Sequence, residues 1–457
     1  MEVSSTLARH CSRTAFEDIP ARAVEQAARS LLDAIGVSMA ASGLAPECGP
    51  FLELARAEQA APVCTILGVG ERTSPSAAAL ANGALAHALD FEDAHDTALV
   101  HPNAPIVPVL LALAESEPEI DGRRFLAAMA IGCDLTCRLS LAVGDRLRER
   151  GWYPPSLLGG LGATAAGASL LRLDERATLD AFSLVTGQLG THAELLHSPE
   201  TVMRSVRDAF PAHAALLAVQ LARNGVRGYD HPFEGTSGFF PVYVGEPANE
   251  LILLDGLGEA YAGSEISFKP WPSCRGTHSF VEGALALVEQ HALDVGQIEH
   301  VLLVAAPVVG SIVAEPRARK LRPETVIDAK FSAYFTTALA FREGRVTLDE
   351  FTADRLADPE LLALADRIAF EADPALDTRS GRVAVATKDG ETLVHEVTSL
   401  AGSPENPLSR EQLVQKFIDC ARHAVRPFDA SRGRRFAEQI LRLEEVDSVA
   451  AELAVAA

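Results

Sequence analysis

Apolar positions in the first half of the chain recur every three to four residues, punctuated by Gly and Pro, and β-branched runs are scarce there. That spacing predicts helices, over residues 21–41, 76–91, 105–114, 123–141 and 209–224. The pattern changes after about Ser264. HVLLVAA, residues 300–306, reads as a strand, and RVAVAT and TLVHEV, within 382–397, read as a hairpin turning at Lys388-Asp389-Gly390. Two helical windows, 323–340 and 358–370, lie between them. From Ser409 the period is helical again, with Ser409 and Gln412 spaced as a capping box. The predicted fold is mainly α: a large all-helical domain built from both ends of the chain, residues 1–264 and 400–457, with a smaller α+β lid domain inserted at 265–399. A cleft between two such domains is a common place for a small-molecule site. The terminal AELAVAA reads as a frayed helix end.

Composition narrows the function. The 457 residues carry 40 Lys+Arg against 62 Asp+Glu, a formal charge of −22. That balance opposes a phosphate-tracking nucleic-acid surface and attraction to an anionic membrane. The longest apolar stretch, residues 301–314, is broken by Pro307 and Gly310, so no membrane span is expected. The first twenty residues lack the apolar core of a signal peptide. Seven cysteines with no CxxC read as small buried hydrophobes of a reducing cytoplasm. Gly160-Leu-Gly162-Ala-Thr-Ala165 mimics a dinucleotide fingerprint but follows GWYPPS rather than a strand, so close helix packing explains it better. Gly68-Val-Gly70 reads as a turn. There is no P-loop.

Candidate chemistry is concentrated in few places. His87-Ala-Leu-Asp90-Phe-Glu-Asp93-Ala-His95-Asp96 is dense enough to suggest metal ligands. Its spacing favours a helix end followed by a solvated charge run, and no metal is assigned. Only five lysines occur, Lys269, Lys320, Lys330, Lys388 and Lys416. Lys388 falls in the hairpin turn and Lys416 on an amphipathic helix. Lys269, within Ile266-Ser-Phe268-Lys269-Pro270-Trp271-Pro272, has two readings: a desolvated base whose pKa falls from about 10.4, or a snorkelling surface side chain. Cations also gather at Arg204, Arg207, Arg275, His101 and His278. An acidic protein that binds a polycarboxylate needs such islands; singly, each also reads as a surface ion pair.

The segment Ala81-Asn82-Gly83-Ala-Leu-Ala-His87-Ala-Leu-Asp90-Phe-Glu-Asp93, with His101-Pro102 and Pro105 after it, strongly resembles the MmgE/PrpD family. Leu31-Leu-Asp33-Ala-Ile-Gly36, Gly151-Trp152, Phe268-Lys269-Pro270-Trp271-Pro272-Ser-Cys274 with His278, Ala329-Lys330-Phe331-Ser332 and Asn406-Pro407-Leu408-Ser409 extend the resemblance in order over most of the chain. The family includes 2-methylcitrate dehydratase, cis-aconitate decarboxylase and iminodisuccinate epimerase. The resemblance implies a cofactor-free active site between a helical domain and a smaller lid, in a homodimer. It places Asp90 at the family's active-site aspartate, His101 at its histidine before proline, and Lys269 at its lid lysine. Tyr153 stands where a histidine commonly follows Gly-Trp, Arg204 where a lysine is common, and Ala94 where a threonine follows the aspartates.

Those departures favour proton transfer over loss of hydroxide. Removing a proton beside a carboxylate builds negative charge that donors must stabilise; His101, Arg204, Arg207, Arg275 and His278 are the candidates for binding or stabilising it. An epimerase needs a base on one face and an acid on the other. Tyr153 and Lys269, with reference pKa values of about 10 and 10.4, suit those exchangeable roles, and Asp90 orients the substrate. The expectation is a cofactor-independent epimerase of a small di-, tri- or tetracarboxylate, resembling the iminodisuccinate epimerase branch. The alternatives are a hydro-lyase of the 2-methylcitrate dehydratase type, a cis-aconitate-type decarboxylase, and a helical interaction protein that has lost its site.

Overall fold

The computed structural model describes residues 2–58, 60–198 and 201–453. The chain is mainly α and divides into two compact units, Met1–Ile266 with Ser409–Ala457, and Ser267–Leu408. The expected insert, 265–399, differs most at its end. There the segment 400–408 turns back with its own bonds: the Gly402 amide donates to the Asn406 carbonyl, and the Phe268 amide to that of Gly402.

The first unit is built on helices whose starts the sequence marks. Ser74 caps Pro75–His87 through the Ala77 amide, Asp121 caps Gly122–Val143 through that of Arg124, and Ser409 and Gln412 form the reciprocal box of Arg410–Ala421. Each cap satisfies an amide that would otherwise lack a partner, worth about 1 kcal/mol. The helix Pro154–Leu170, buried along nearly its whole length, is the central rod. It packs against Gly122–Val143, Asn103–Ser116 and Ala209–Arg223. Close packing is what its glycines serve: a Cβ on Gly162 would overlap Thr136 Oγ1 and lie 2.6 Å from the Gly132 carbonyl oxygen. Gly122–Val143 is long and apolar enough to cross a membrane by length and composition, but it is almost wholly buried in this unit. It also carries the ion pair Arg138–Asp134, at 2.8 Å.

The expectation of an all-helical unit needs one correction. Cys64–Ile66 (β1) and Glu71–Thr73 (β2) form an antiparallel pair across the turn containing Gly68 and Gly70, both at positive φ. Asn82 ties it to the following helix, accepting from the Leu67 amide and donating to the Thr65 carbonyl, each at 2.9 Å.

The second unit is α+β. Its sheet runs β4-β3-β5-β6, with Ile298–Ala305 (β3) parallel to Ile368–Ala372 (β4) and antiparallel to Gly381–Thr387 (β5), which pairs with Thr392–Val397 (β6). Inward residues alternate along β5, and Val383 and Val385 are buried with the helices His278–His291 and Ala333–Glu343 in one core. Two helical windows are corrected. The first breaks at Phe331, because Ser332 caps a new helix through the Phe335 amide. The second stops at Ala365, and Ile368 onward pairs with β3 as a strand. Of AELAVAA, residues 454–457 lie outside the described residues; the helix before them is Val449–Leu453.

Candidate functional site

The helix Pro75–His87 ends four residues earlier than its apolar pattern suggests. Asp90 adopts φ +50, a left-handed conformation that Asp tolerates better than most residues, and its amide returns to the His87 carbonyl at 2.8 Å. The segment beyond that turn is not a solvated charge run: Glu92 and Asp93 are 0% exposed and Asp90 is 2% exposed. Gly83 lets the same helix approach the backbone before Ala209–Arg223, since a Cβ there would lie 2.8 Å from the Asp208 carbonyl oxygen. His87, Asp90, Arg207 and Asp208 thereby gather in one buried cluster. Tyr153, the residue before Pro154–Leu170, joins it with its ring centre 5.0 Å from the Arg207 guanidinium carbon.

Hydrogen bonds set much of the proton placement. His101 Nδ1 lies 2.8 Å from the Asp93 carbonyl oxygen and 3.1 Å from Glu92 Oε1. A carbonyl only accepts, so Nδ1 carries a proton. His87 Nδ1 contacts the same Glu92 oxygen. Burial, followed by the Arg207 charge, pushes the His87 pKa down to about 3, so this is a neutral imidazole donating to Glu92 rather than an ion pair. Asn103 Nδ2 donates to Asp93 Oδ2 at 2.9 Å. Burial, then the neighbouring Asp33 and Glu92 charges, raise Asp93 to about 8. Burial likewise raises Asp208, against the pull of Arg207.

Arg207 is the cluster's fixed cation, 1% exposed. Burial works against its charge, but Tyr153, Asp208, Glu92 and Asp90 outweigh it, and its pKa is raised. Its Nη1 donates to the Arg204 carbonyl at 3.2 Å, its Nε lies 3.4 Å from Asp208 Oδ2, and its guanidinium carbon sits 5.0 Å from the Tyr153 ring centre. Its Nη2 is buried without a hydrogen-bond partner among the described residues. A desolvated guanidinium with an unspent donor is equipped to take a carboxylate.

The structure thus brings together Asp90, His101, Tyr153 and Arg207 of the residues expected from sequence. Arg204 lies beside them on the short helix Met203–Val206 and is half-buried. Lys269, Arg275 and His278 belong to the second unit. There Lys269 is 0% exposed, which removes the snorkelling reading. Arg275 Nη1 donates to the Ala401 carbonyl at 2.7 Å and lies 3.2 Å from His278 Nδ1. His278 Nε2 lies 3.2 Å from the Ser273 carbonyl. Sequence reasoning missed Asp208, Asn103 and Ser156, whose hydroxyl donates to Asp208 Oδ1 at 3.3 Å. Each is a common residue at a helix end or in a helix, with no spacing signal of its own. Lys416 lies on the expected helix, Arg410–Ala421, and is buried there, with Nζ 2.6 Å from Asp33 Oδ1.

His87, Glu92 and His101 bring possible ligand atoms within 4.8 Å of one another. The Nδ1 atoms of both histidines face one Glu92 oxygen, Oε1.

Comparisons with known proteins bear on this cluster. Residues 5–252 match the model of the MmgE/PrpD N-terminal domain, and residues 271–444 that of the MmgE/PrpD C-terminal domain. The chain is 26% identical to a cis-aconitate decarboxylase-like protein of Aspergillus oryzae, over 96% of this chain and 94% of that protein. It is 25% identical to the cis-aconitate decarboxylase of Mus musculus, over 76% and 72%. With that of Aspergillus terreus the identity is 24%, over 98% and 94%.

Proposed function

Because the chain belongs to the MmgE/PrpD family, we propose that it is an enzyme that moves a proton at a carbon next to a carboxylate of a small polycarboxylate, without a cofactor. The observation that carries this reading is the buried Arg207 guanidinium, 5.0 Å from the Tyr153 ring centre and with Nη2 unspent. It is suited to hold a substrate carboxylate beside the phenol. As the α-proton leaves, its electron pair enters the adjacent carboxyl group, and a fixed cation stabilises the enediolate that forms.

In the finer reading the reaction is epimerisation. One group takes the proton as H⁺ and the other returns a proton to the opposite face of the same carbon. Tyr153 and Lys269 are assigned those two roles. Asp90 and His101 are assigned to orient the substrate, and Arg204, Arg275 and His278 to its remaining carboxylates. The second reading, favoured by the names of the relatives, is decarboxylation of an aconitate-like acid. There the bond to a carboxyl carbon breaks, CO₂ leaves, and a proton from Tyr153 takes its place on carbon.

Substitution tests the assignment. General acid–base groups contribute about 10²–10⁴ in rate, so Tyr153→Phe should lose at least 10²-fold in kcat with an unchanged melting curve. Lys269→Arg keeps the charge but removes a usable base, and the same loss is expected. Wild-type kcat in either folded variant removes that residue from the chemistry.

A further inference from the structure

Lys416 lies on the helix Arg410–Ala421, far in sequence from the cluster around Asp90. Its neighbour Phe417 stacks on Phe436 of the helix Ala430–Ile440 at 5.4 Å, and its ring packs on Gly36 of Ala21–Leu44, where a Cβ would lie 2.9 Å from it. The ammonium thus faces Asp33 Oδ1 at 2.6 Å. It donates to the Phe91 carbonyl at 2.8 Å and lies 3.9 Å from the centre of the Phe91 ring. Phe91 is the residue between Asp90, in its left-handed conformation, and Glu92, which both histidines address.

A left-handed Asp costs free energy and persists only where its surroundings over-determine it. A buried lysine–aspartate pair is often no better for stability than an apolar pair of similar volume. What this pair adds is its hold on the Phe91 carbonyl and ring. We infer that Lys416 is a positioning residue of the proposed reaction. Anchored by Asp33, it grips the Phe91 peptide and ring from the C-terminal segment, and so sets where the Asp90 and Glu92 side chains stand. It touches no reacting atom in this account; it acts through the backbone of the turn.

The inference rests on the proposed function only for its kinetic consequence, and the test separates the two. The double variant Asp33→Asn/Lys416→Met leaves no unpaired buried charge. Hydrogen–deuterium exchange read by mass spectrometry should show the peptide covering residues 88–100 exchanging about tenfold faster, with the helices Gly122–Val143 and Pro154–Leu170 unchanged. On whichever polycarboxylate the wild-type protein turns over, kcat should fall about 10²-fold while KM stays within about threefold. Lys416→Arg retains a cation and a donor; it should keep the loop protection and most of kcat, and it serves as the test if the double variant does not fold. Unchanged exchange at 88–100, or faster exchange spread evenly over the helices, overturns the inference, as does Lys416→Arg exchanging as freely as unfolded chain at that peptide alone. If the wild-type protein turns over no polycarboxylate, the functional reading fails and the exchange data still decide the role of Lys416.

Discussion

Asp93 and His87 share one buried cluster yet oppose each other in pH. Native Asp93 holds its proton up to about 8, against an ordinary value of 3.8. The native chain therefore binds more protons between those values, and this group's contribution to stability falls as pH rises through that window. Native His87 takes a proton only near 3, against an ordinary 6.5, so its contribution is lost as pH falls from 6.5 toward 3. Asp93→Asn is neutral at every pH and keeps a side-chain oxygen for Asn103. Thermal melts should place it above wild type by a few degrees at pH 8 and level with wild type at pH 4. An equal gap at both values would show that Asp93 is charged in the native state. At this scale the sequence was informative where residue type and chemistry coincide: Tyr153, Arg207, Asp90 and Lys269 stand out among a rod of alanines and leucines. It was silent on burial. Glu92 and Asp93 look like surface charges because nothing in FED announces that both are buried or that Phe91 packs under Lys416.

Elements were readable where one periodicity dominates over three turns or more. The helix Ala21–Leu44 and the β5–β6 hairpin are of that kind, one repeating at 3.6 and the other at 2 with a Lys388-Asp389-Gly390 turn. Short apolar runs fit both periods, and partners decide among them. Ile368–Ala372 is a strand because β3 lies beside it in parallel register, which no local pattern can show. The left-handed Asp90 ends a helix whose apolar stripe continues past it. Gly162, in contrast, carried its meaning in the sequence: it packs a helix rather than binding a dinucleotide. Gly162→Ala, whose methyl would overlap Thr136 Oγ1, should lower stability by about 1–3 kcal/mol through overpacking. Denaturant unfolding with an unchanged midpoint would mean the two helices separate freely, contrary to their packing here.

Over the whole molecule, an acidic chain places one desolvated guanidinium among four buried carboxyl groups, Asp90, Glu92, Asp93 and Asp208. Burial raises the pKa of two of these, Asp93 and Asp208, which weakens their hold on Arg207 within a chain of overall charge −22. The residues come from positions 87–103, 153–156 and 204–208, with support from 33 and 416. Only the fold makes them neighbours, and only for the first unit does the sequence order hint at it. The account's central claim is proton transfer next to a carboxylate without a metal. It is tested most directly by proton NMR of the metal-stripped protein in D₂O, with single stereoisomers of iminodisuccinate, citrate, 2-methylcitrate and cis-aconitate, beside Tyr153→Phe as control. The account predicts deuterium entering a carbon next to a carboxylate in the wild-type sample and none in the variant. Loss of optical purity without a new alkene marks epimerisation, and loss of CO₂ marks the decarboxylase reading. No exchange with any of the four, or exchange at equal rate in Tyr153→Phe, would contradict it.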